Sequence, residues 1–305
     1  MAINYTKEDL LRVSNMASDL KESIILGGVL PYMDITYDGG PLIPLTDKRP
    51  WHYVDVYESL GIDRNAEYRF LEIGNRWCGA LWGWRIYLPN SKIYGLDIDP
   101  ETQKFSNNNP DIGVKVYEGD QTNTQLLKQI HKEAGGLDVI VDDGGHTMTQ
   151  INTTFQTLWP LLNDGGVYII EDLQCCYWPN HEGGLKEPNS SIELIKSLFD
   201  NIHACYYKSE NKIKSARAKH KISHEPSNYF DKSVSSVHVY DSIAVIYKNI
   251  KPTLVPTSLE GNFTQEVHLS QEICEQSNMN LFLKPEEKNH YKKLFNNAVN
   301  SFPKK

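Results

Sequence analysis

Between residues 67 and 175, short apolar segments alternate with stretches in which apolar residues recur at helical spacing. The short segments are rich in β-branched and aromatic residues, which favours β-strands. Between two of them, Leu126, Leu127 and Ile130 share one face of a predicted helix. Strands that alternate with helices predict a parallel sheet with helices on both faces. The predicted strands are residues 68–74, 91–99, 114–120, 137–143 and 166–172.

The pattern changes after residue 233. Residues 234–240 and 242–248 are both rich in β-branched residues, and only Asp241 separates them. So short a link cannot contain a crossover helix, and it therefore predicts an antiparallel hairpin. Five parallel strands closed by such a hairpin are typical of the Rossmann-like class I methyltransferase variant of the α/β fold. We therefore expect a seven-stranded, mostly parallel sheet with a C-terminal antiparallel hairpin and helices on both faces.

Three regions follow from these patterns. Residues 1–65 are predicted to form a helical extension, with one amphipathic helix ending near Leu20 and a second between Trp51 and Leu60. Residues 66–250 hold the predicted sheet, and residues 251–305 read as a tail with one helix near residues 285–299. Lysines and arginines are concentrated in residues 208–221, where a solvated surface is favoured over a partner site.

Composition narrows the function classes. The net charge of −8 argues against general binding to nucleic acid or to a membrane surface, because both are polyanionic. The five cysteines have no CxxC spacing, which favours a reduced, cytoplasmic protein. The N-terminal residues mix charged and apolar side chains, so we expect neither a signal peptide nor a membrane span.

A glycine turn follows the first predicted strand. Glu72 ends the strand, and Gly74 and Gly79 have the spacing G-x-x-x-x-G. This is neither the G-x-G-x-x-G of a pyrophosphate-binding turn nor a P-loop, because no lysine follows the second glycine. A wide turn without a phosphate grip suits a cofactor with a nucleoside and an amino acid, such as S-adenosylmethionine. An ordinary strand–helix turn is the alternative.

Acidic residues end the next two strands. Asp97 and Asp99 follow the glycine turn by about 20 residues. A carboxylate at this position can accept hydrogen bonds from both ribose hydroxyls of a bound nucleoside. Only one of the two needs to hold the ribose, and we favour Asp97. Asp120 ends the third strand and is placed to meet the adenine end of the cofactor, although a strand-end cap explains it nearly as well.

Four further acids follow the fourth and fifth strands: Asp142, Asp143, Glu171 and Asp172. The carboxyl ends of adjacent parallel strands lie side by side at the edge where α/β sheets bind ligands. Carboxylates concentrated there repel one another unless a cation lies among them, and oxygen ligands suit magnesium or another hard divalent cation. The alternative is that these acids accept backbone hydrogen bonds. We expect Asp142 to do so, and count it with the cofactor-binding residues.

His146 lies three residues beyond Asp143, after two glycines. Imidazole titrates near neutral pH, so a histidine beside a metal-bound hydroxyl could remove its proton. A histidine that only bonds to loop backbone is the alternative.

Together these motifs resemble a known family. Leu-Glu72-Ile-Gly, Tyr-Gly-Leu-Asp97-Ile-Asp-Pro, Asp143-Gly-Gly-His146 and the Glu171-Asp pair are similar to those of metal-dependent sugar O-methyltransferases of macrolide biosynthesis and their cephalosporin hydroxylase-like relatives. The resemblance covers about residues 45–250. It implies that Asp143, Glu171 and Asp172 hold magnesium and that His146 is the general base.

Two features depart from that family. Residues 75–78 are bulkier than its usual glycine turn, and the first 45 and last 55 residues match it poorly. Asp47-Lys48 and Trp51-His52-Tyr53 look like the family's Asp-Lys segment and tyrosine-rich helix. Because the termini of family members bind substrate or oligomerise, the acceptor and assembly as a homo-oligomer are left open.

We therefore expect a metal-dependent O-methyltransferase that moves the methyl group of S-adenosylmethionine to a sugar or other small-molecule or glycan acceptor with neighbouring hydroxyls. Two alternatives keep the fold. One is a hydroxylase-associated protein that uses the same metal site, and the other is a non-catalytic binding protein. A nicotinamide dehydrogenase is disfavoured by the glycine spacing.

Overall fold

The computed structural model describes residues 15, 17, 19, 20, 23, 24, 52–108, 110, 113–203 and 229–250. All of them belong to one compact unit. Most of the predicted first helix, Asp47-Lys48, Trp51, the basic residues 208–221 and the predicted tail lie outside the described residues. The bounds 1–65, 66–250 and 251–305 of the three regions therefore stay predictions.

The described chain alternates strands and helices as the sequence pattern predicts. The strands are β1 Arg69–Ile73, β2 Lys92–Asp97, β3 Val114–Glu118, β4 Leu137–Asp142, β5 Leu162–Ile170, β6 Val234–Tyr240 and β7 Ile243–Lys248. The helices are α1 Tyr53–Ser59, α2 Gly79–Tyr87, α3 Pro100–Asn108, α4 Thr124–Ala134, α5 Met148–Leu158, α6 Ser191–Ile202 and α7 Tyr229–Ser233. Short 3-10 turns are formed by Arg76–Cys78, Trp159–Leu161, Leu173–Tyr177 and Pro179–His181.

The strands form one seven-stranded sheet in the order β3-β2-β1-β4-β5-β7-β6. Strands β1 to β5 run parallel, and β7 pairs antiparallel with both β5 and β6. The predicted fold class is confirmed, including the hairpin, whose turn is Asp241–Ser242 with Ser242 at φ 66°. The second hairpin strand, β7, lies between β5 and β6. The chain therefore first forms the edge strand β6 and then returns to place β7 beside β5.

Both faces of the sheet are buried. Successive residues of β4 alternate between two apolar clusters: Val139 and Val141 pack with α1 and α2, whereas Ile140 packs with α4, α5 and α6. This alternation follows from the two-residue period of a strand, and helices on both faces are typical of parallel sheets. Among the described residues, no helix is both long and apolar enough to cross a membrane.

Lys248 joins the hairpin to the end of α5. Its Nζ is buried and donates hydrogen bonds to the carbonyl oxygens of Trp159 (2.9 Å), Pro160 (3.3 Å) and Leu162. Burial lowers the pKa of Lys248 to about 8, because a charged ammonium group is less stable away from water. The three carbonyls compensate for that loss of solvent, so Lys248 has a structural role.

Candidate cofactor and metal site

The carboxyl ends of β1, β2, β4 and β5 meet at one edge of the sheet. Ile73 pairs with Leu96 on one side and with Asp142 on the other, and Asp142 pairs with Ile170. The residues that follow these strands are therefore neighbours in space. Every predicted site residue except Asp120 and Gly79 lies in one of these strands or in the turn after it.

Gly74 is required by the backbone of a neighbouring strand end. Its φ is 81°, in the left-handed region that favours glycine. A Cβ at this position would lie 1.9 Å from the carbonyl oxygen of Asp143 and 2.8 Å from the Cα of Gly144. We expected this glycine to allow the close approach of a cofactor, whereas in the structure the backbone of the turn after β4 approaches it closely.

Asp97 ties the glycine turn to the end of β2. Its carboxylate is buried and accepts hydrogen bonds from the backbone nitrogens of Asn75 (2.6 Å) and Asp99 (2.8 Å). The side chain of Asn75 donates to the carbonyl oxygen of Glu72 at 3.1 Å, and Glu72 is itself buried. Asn75, noted in the sequence only as a departure from the family, is thus part of the turn that Asp97 holds.

Gly79 is the first residue of α2 and is buried, with an ordinary helical φ of −60°. It follows the short 3-10 turn Arg76–Cys78, and Cys78 before it is left-handed with φ 57°. The bulky residues between the two glycines are therefore accommodated by one extra turn of helix.

Asp99 and Asp120 occupy exposed turns. Asp99 accepts a hydrogen bond from the nitrogen of Glu101 at 3.0 Å, and Asp120 accepts from the nitrogen of Thr122 at 2.7 Å. Of the two acids after β2, the structure gives Asp97 the buried position at the turn. Between them, Ile98 exposes 69% of its surface, which was not predicted from the sequence. An apolar residue between two strand-end acids was the available signal.

Three predicted residues come together after β4 and β5. The ligand atoms of Asp143, His146 and Asp172 lie within 4.8 Å of one another. His146 Nε2 is 3.3 Å from Asp172 Oδ2 and 3.9 Å from Asp143 Oδ1. His146 adopts φ 59°, and Thr147 then caps α5 by a reciprocal pair of hydrogen bonds with Gln150. This sharp reversal returns the imidazole to the strand end.

Asp142 precedes this group as the last residue of β4 and is buried. It accepts hydrogen bonds from Gln121 Nε2 at 3.1 Å and from the Tyr168 hydroxyl at 3.0 Å. Burial raises the pKa of Asp142 to about 7. Gln121 also accepts from the nitrogen of Gly145 at 2.7 Å, which supports the turn from below. We expected Asp142 to accept backbone hydrogen bonds, whereas these two donors are side chains. Its contact with a cofactor stays a prediction.

Glu171 and Asp172 accept hydrogen bonds from two tyrosine hydroxyls of α1. The Tyr57 hydroxyl donates to Glu171 Oε1, and the Tyr53 hydroxyl donates to Asp172 Oδ1 at 2.7 Å. Glu171 is buried and stands outside the three-residue group, so its role as a metal ligand stays a prediction. The sequence pointed to a tyrosine-rich helix without assigning its tyrosines a role.

Comparison with known proteins identifies sequences similar to this chain. Residues 71–173 match the family described as a methyltransferase domain, and this range includes every predicted site residue. The chain is 30% identical to mycinamicin VI 2''-O-methyltransferase of Micromonospora griseorubida, over 65% of this chain and 49% of that protein. It is 32% identical to demethylmacrocin O-methyltransferase of Streptomyces fradiae, over 61% and 46%.

Solved structures include a similar protein. MycE methyltransferase from the mycinamycin biosynthetic pathway, in complex with Mg and SAH, superposes with a TM-score of 0.55 at 27% identity, covering 78% of this chain and 57% of that one. The chain thus spans about half the length of the curated relatives it matches. The resemblance to the sugar O-methyltransferases is confirmed over the methyltransferase domain.

Proposed function

We propose that this chain is an S-adenosylmethionine- and divalent-cation-dependent O-methyltransferase whose acceptor is a sugar or another small molecule with neighbouring hydroxyls. The observation that carries the proposal is the group Asp143, His146 and Asp172, which lies at the same edge of the sheet as Gly74 and Asp97. The names of the relatives support the acceptor class, since they include O-methyltransferases of mycinamicin VI, of demethylmacrocin and of a rhamnosyl tetracenomycin.

The residues at the glycine turn fit the cofactor. A carboxylate offers about four acceptor positions. Asp97 accepts hydrogen bonds from two backbone nitrogens, which leaves acceptor positions for the ribose hydroxyls. Ile98 offers an exposed apolar surface beside Asp97 for the adenine ring. Glu72 and Gly74 line the turn where the amino-acid part would lie. S-adenosylmethionine supplies the methyl group when bound. The other predicted cofactor contacts are Gly79, Asp99, Asp120 and Asp142.

The acids after β4 and β5 fit a hard divalent cation. Asp143 and Asp172 supply carboxylate oxygens close enough to share one ion, and oxygen ligands are those that Mg²⁺ prefers. Glu171 is the third proposed ligand. A cation held by these residues would lower the pKa of an acceptor hydroxyl.

His146 would act as the general base through Nε2. Its left-handed backbone turns the ring toward Asp143 and Asp172 rather than away from them. Once Nε2 holds the acceptor's proton, the carboxylate of Asp172 at 3.3 Å stabilises the resulting imidazolium. Positioning of the acceptor oxygen in line with the methyl group provides the remainder of the rate enhancement.

The decisive experiment measures binding and turnover on the full chain. We expect calorimetry to show binding of S-adenosylhomocysteine. In a separate turnover assay with glycosides that carry vicinal hydroxyls, we expect S-adenosylhomocysteine to form from S-adenosylmethionine in a Mg²⁺-dependent reaction. Chelation should abolish turnover, and added Mg²⁺ should restore it. Full activity after exhaustive chelation would refute the metal requirement, and binding without turnover on any hydroxylated acceptor would favour a binding protein.

A further inference from the structure

We propose that Tyr53 and Tyr57 are positioning residues that orient the carboxylates of Asp172 and Glu171 for the metal. The inference rests on the proposed function and deepens it. The two tyrosines are one helical turn apart on α1, and the two acids are consecutive after β5. Each hydroxyl therefore meets one acid.

The spacing explains why one short helix can serve both acids. Residues four apart in a helix lie on the same face, so Tyr53 and Tyr57 point in the same direction. Consecutive residues of an extended chain point to opposite sides, but Asp172 adopts φ 55°. This left-handed residue ends the extended strand, and both carboxylates then accept a hydroxyl from the same helix.

The tyrosines are fixed by packing before they reach the acids. Both are buried, with relative exposures of 2% for Tyr53 and 1% for Tyr57. The Tyr57 ring packs edge-on against Trp84, with centroids 4.9 Å apart. A buried side chain in a close-packed core has few alternative rotamers, so its hydroxyl has a defined position. That position is imposed on the carboxylate oxygen that accepts the hydrogen bond.

The Tyr53 hydroxyl also ties the acids to the hairpin. It lies 3.4 Å from the carbonyl oxygen of Ser242, which in turn accepts a hydrogen bond of 2.9 Å from the nitrogen of Leu173. The turn between β6 and β7, the residues after β5 and helix α1 are thereby joined at one point. The backbone of Asp172 is held on both sides, and its side chain is held by Tyr53.

The arrangement leaves the second carboxylate oxygen of Asp172 facing His146. Tyr53 bonds to Oδ1, whereas Oδ2 is the oxygen that lies 3.3 Å from His146. One oxygen is thus used for orientation, and the other is presented to the group of potential ligands. Partners in the shell behind the metal ligands commonly act in this way, and their loss typically reduces metal affinity by about 10- to 100-fold.

The test is a titration of the full chain with Mn²⁺ as the probe, followed by calorimetry or electron paramagnetic resonance. Tyr57→Phe and Tyr53→Phe should each raise the Kd for Mn²⁺ by about 10- to 100-fold, while binding of S-adenosylhomocysteine is unchanged. Tyr87→Phe is the matched control. Tyr87 also packs against Trp84, but its hydroxyl donates to the carbonyl oxygen of Ile62. The Kd of the Tyr87→Phe variant for Mn²⁺ should therefore equal that of the wild type.

A second variant guards against a folding defect. If Tyr57→Phe fails to fold, Tyr53→Phe decides the question. In a Glu171→Gln background, the additional change Tyr57→Phe should cause little further loss of Mn²⁺ affinity, because a positioning residue acts through its partner. A merely structural tyrosine would give the same additional loss in both backgrounds.

The outcomes separate this inference from the proposed function. If the wild type binds Mn²⁺ and both tyrosine variants bind it equally well or more tightly, the inference is overturned while the proposed function stands. If the wild type binds no Mn²⁺, the metal site itself is refuted, and the positioning role is refuted with it.

Discussion

His146 Nε2 lies 3.3 Å from Asp172 Oδ2, although the two residues follow different strands of the sheet. The contact depends on two left-handed residues, since His146 has φ 59° and Asp172 has φ 55°. Backbone strain of this kind is found preferentially at functional sites. Substitution of His146 therefore tests the proposed general base directly.

Replacing His146 should reduce turnover without loss of binding. We expect His146→Asn to lower kcat by about 100- to 10,000-fold, the usual contribution of a general base. Asparagine is the preferred replacement because it tolerates a left-handed backbone better than alanine. Steady-state kinetics gives kcat, and calorimetry with S-adenosylhomocysteine and Mn²⁺ confirms that both sites persist.

Tyr177 is the competing base, because it lies shortly after Asp172 and is 44% exposed. Tyr177→Phe should retain near-normal kcat. If it abolished turnover while His146→Asn remained active, the base would be Tyr177 and His146 would be a structural turn residue.

Asp97 should determine cofactor affinity. Asp97→Ala removes the acceptor for the ribose and should weaken binding of S-adenosylhomocysteine by about 1.5–3 kcal/mol, roughly 10- to 100-fold. Because Asp97 also holds the nitrogens of Asn75 and Asp99, the free energy of unfolding should fall as well. Calorimetry and urea unfolding measure the two effects.

Asp99→Ala is the matched control for that change. Asp99 is exposed, and its carboxylate accepts a local hydrogen bond from the nitrogen of Glu101. Its loss should therefore change cofactor affinity much less than loss of Asp97. The opposite order of affinities would assign the ribose to Asp99.

Gly74→Ala should disrupt the site by a steric clash. The new Cβ would lie 1.9 Å from the Asp143 carbonyl oxygen, so the turn after β4 must move. Gly61→Ala is the control, because Gly61 has a similar φ of 67° and nothing within 4 Å of its Cβ position. Both variants lose about 1 kcal/mol from backbone strain, and Gly74→Ala should lose several times more. Equal unfolding free energies would show that the close approach is unimportant.

Asp138 should stabilise the fold in a pH-dependent way. Burial alone would raise its pKa, but hydrogen bonds from Arg69 and Asn163 outweigh burial and hold the pKa below its usual value. Because the pKa is lower in the folded protein, this stabilisation is present above about pH 4 and is lost as the pH falls through the folded-state pKa.

Urea unfolding of Asp138→Asn tests that sign. The variant should be about 1–2 kcal/mol less stable than the wild type at neutral pH, and the difference should shrink in acid. Glu101→Gln is the control, because the Glu101–Lys104 pair is exposed and the change should therefore affect the free energy of unfolding much less. A difference that grew as the pH fell would contradict the assignment.

The sequence by itself determined the elements and the acids that end them. The two-residue period of the strands, the helical spacing between them and the single residue before Ser242 predicted the sheet and its hairpin, because burial on both faces requires those patterns. The acids after β4 and β5 were predictable neighbours, since parallel strands end at one edge. Asp143, His146 and Asp172 do lie together there.

Only the tertiary structure decided which atoms meet. Asp97 and Asp99 have equivalent spacing in the sequence, yet Asp97 is buried against Asn75 and Asp99 is exposed. Likewise, Tyr57 reaches Glu171 across a long stretch of chain. The spacing of apolar residues along a strand or helix indicates which residues share its buried face. That spacing does not predict which distant element packs against the face, because this depends on the packing of the whole sheet and its helices.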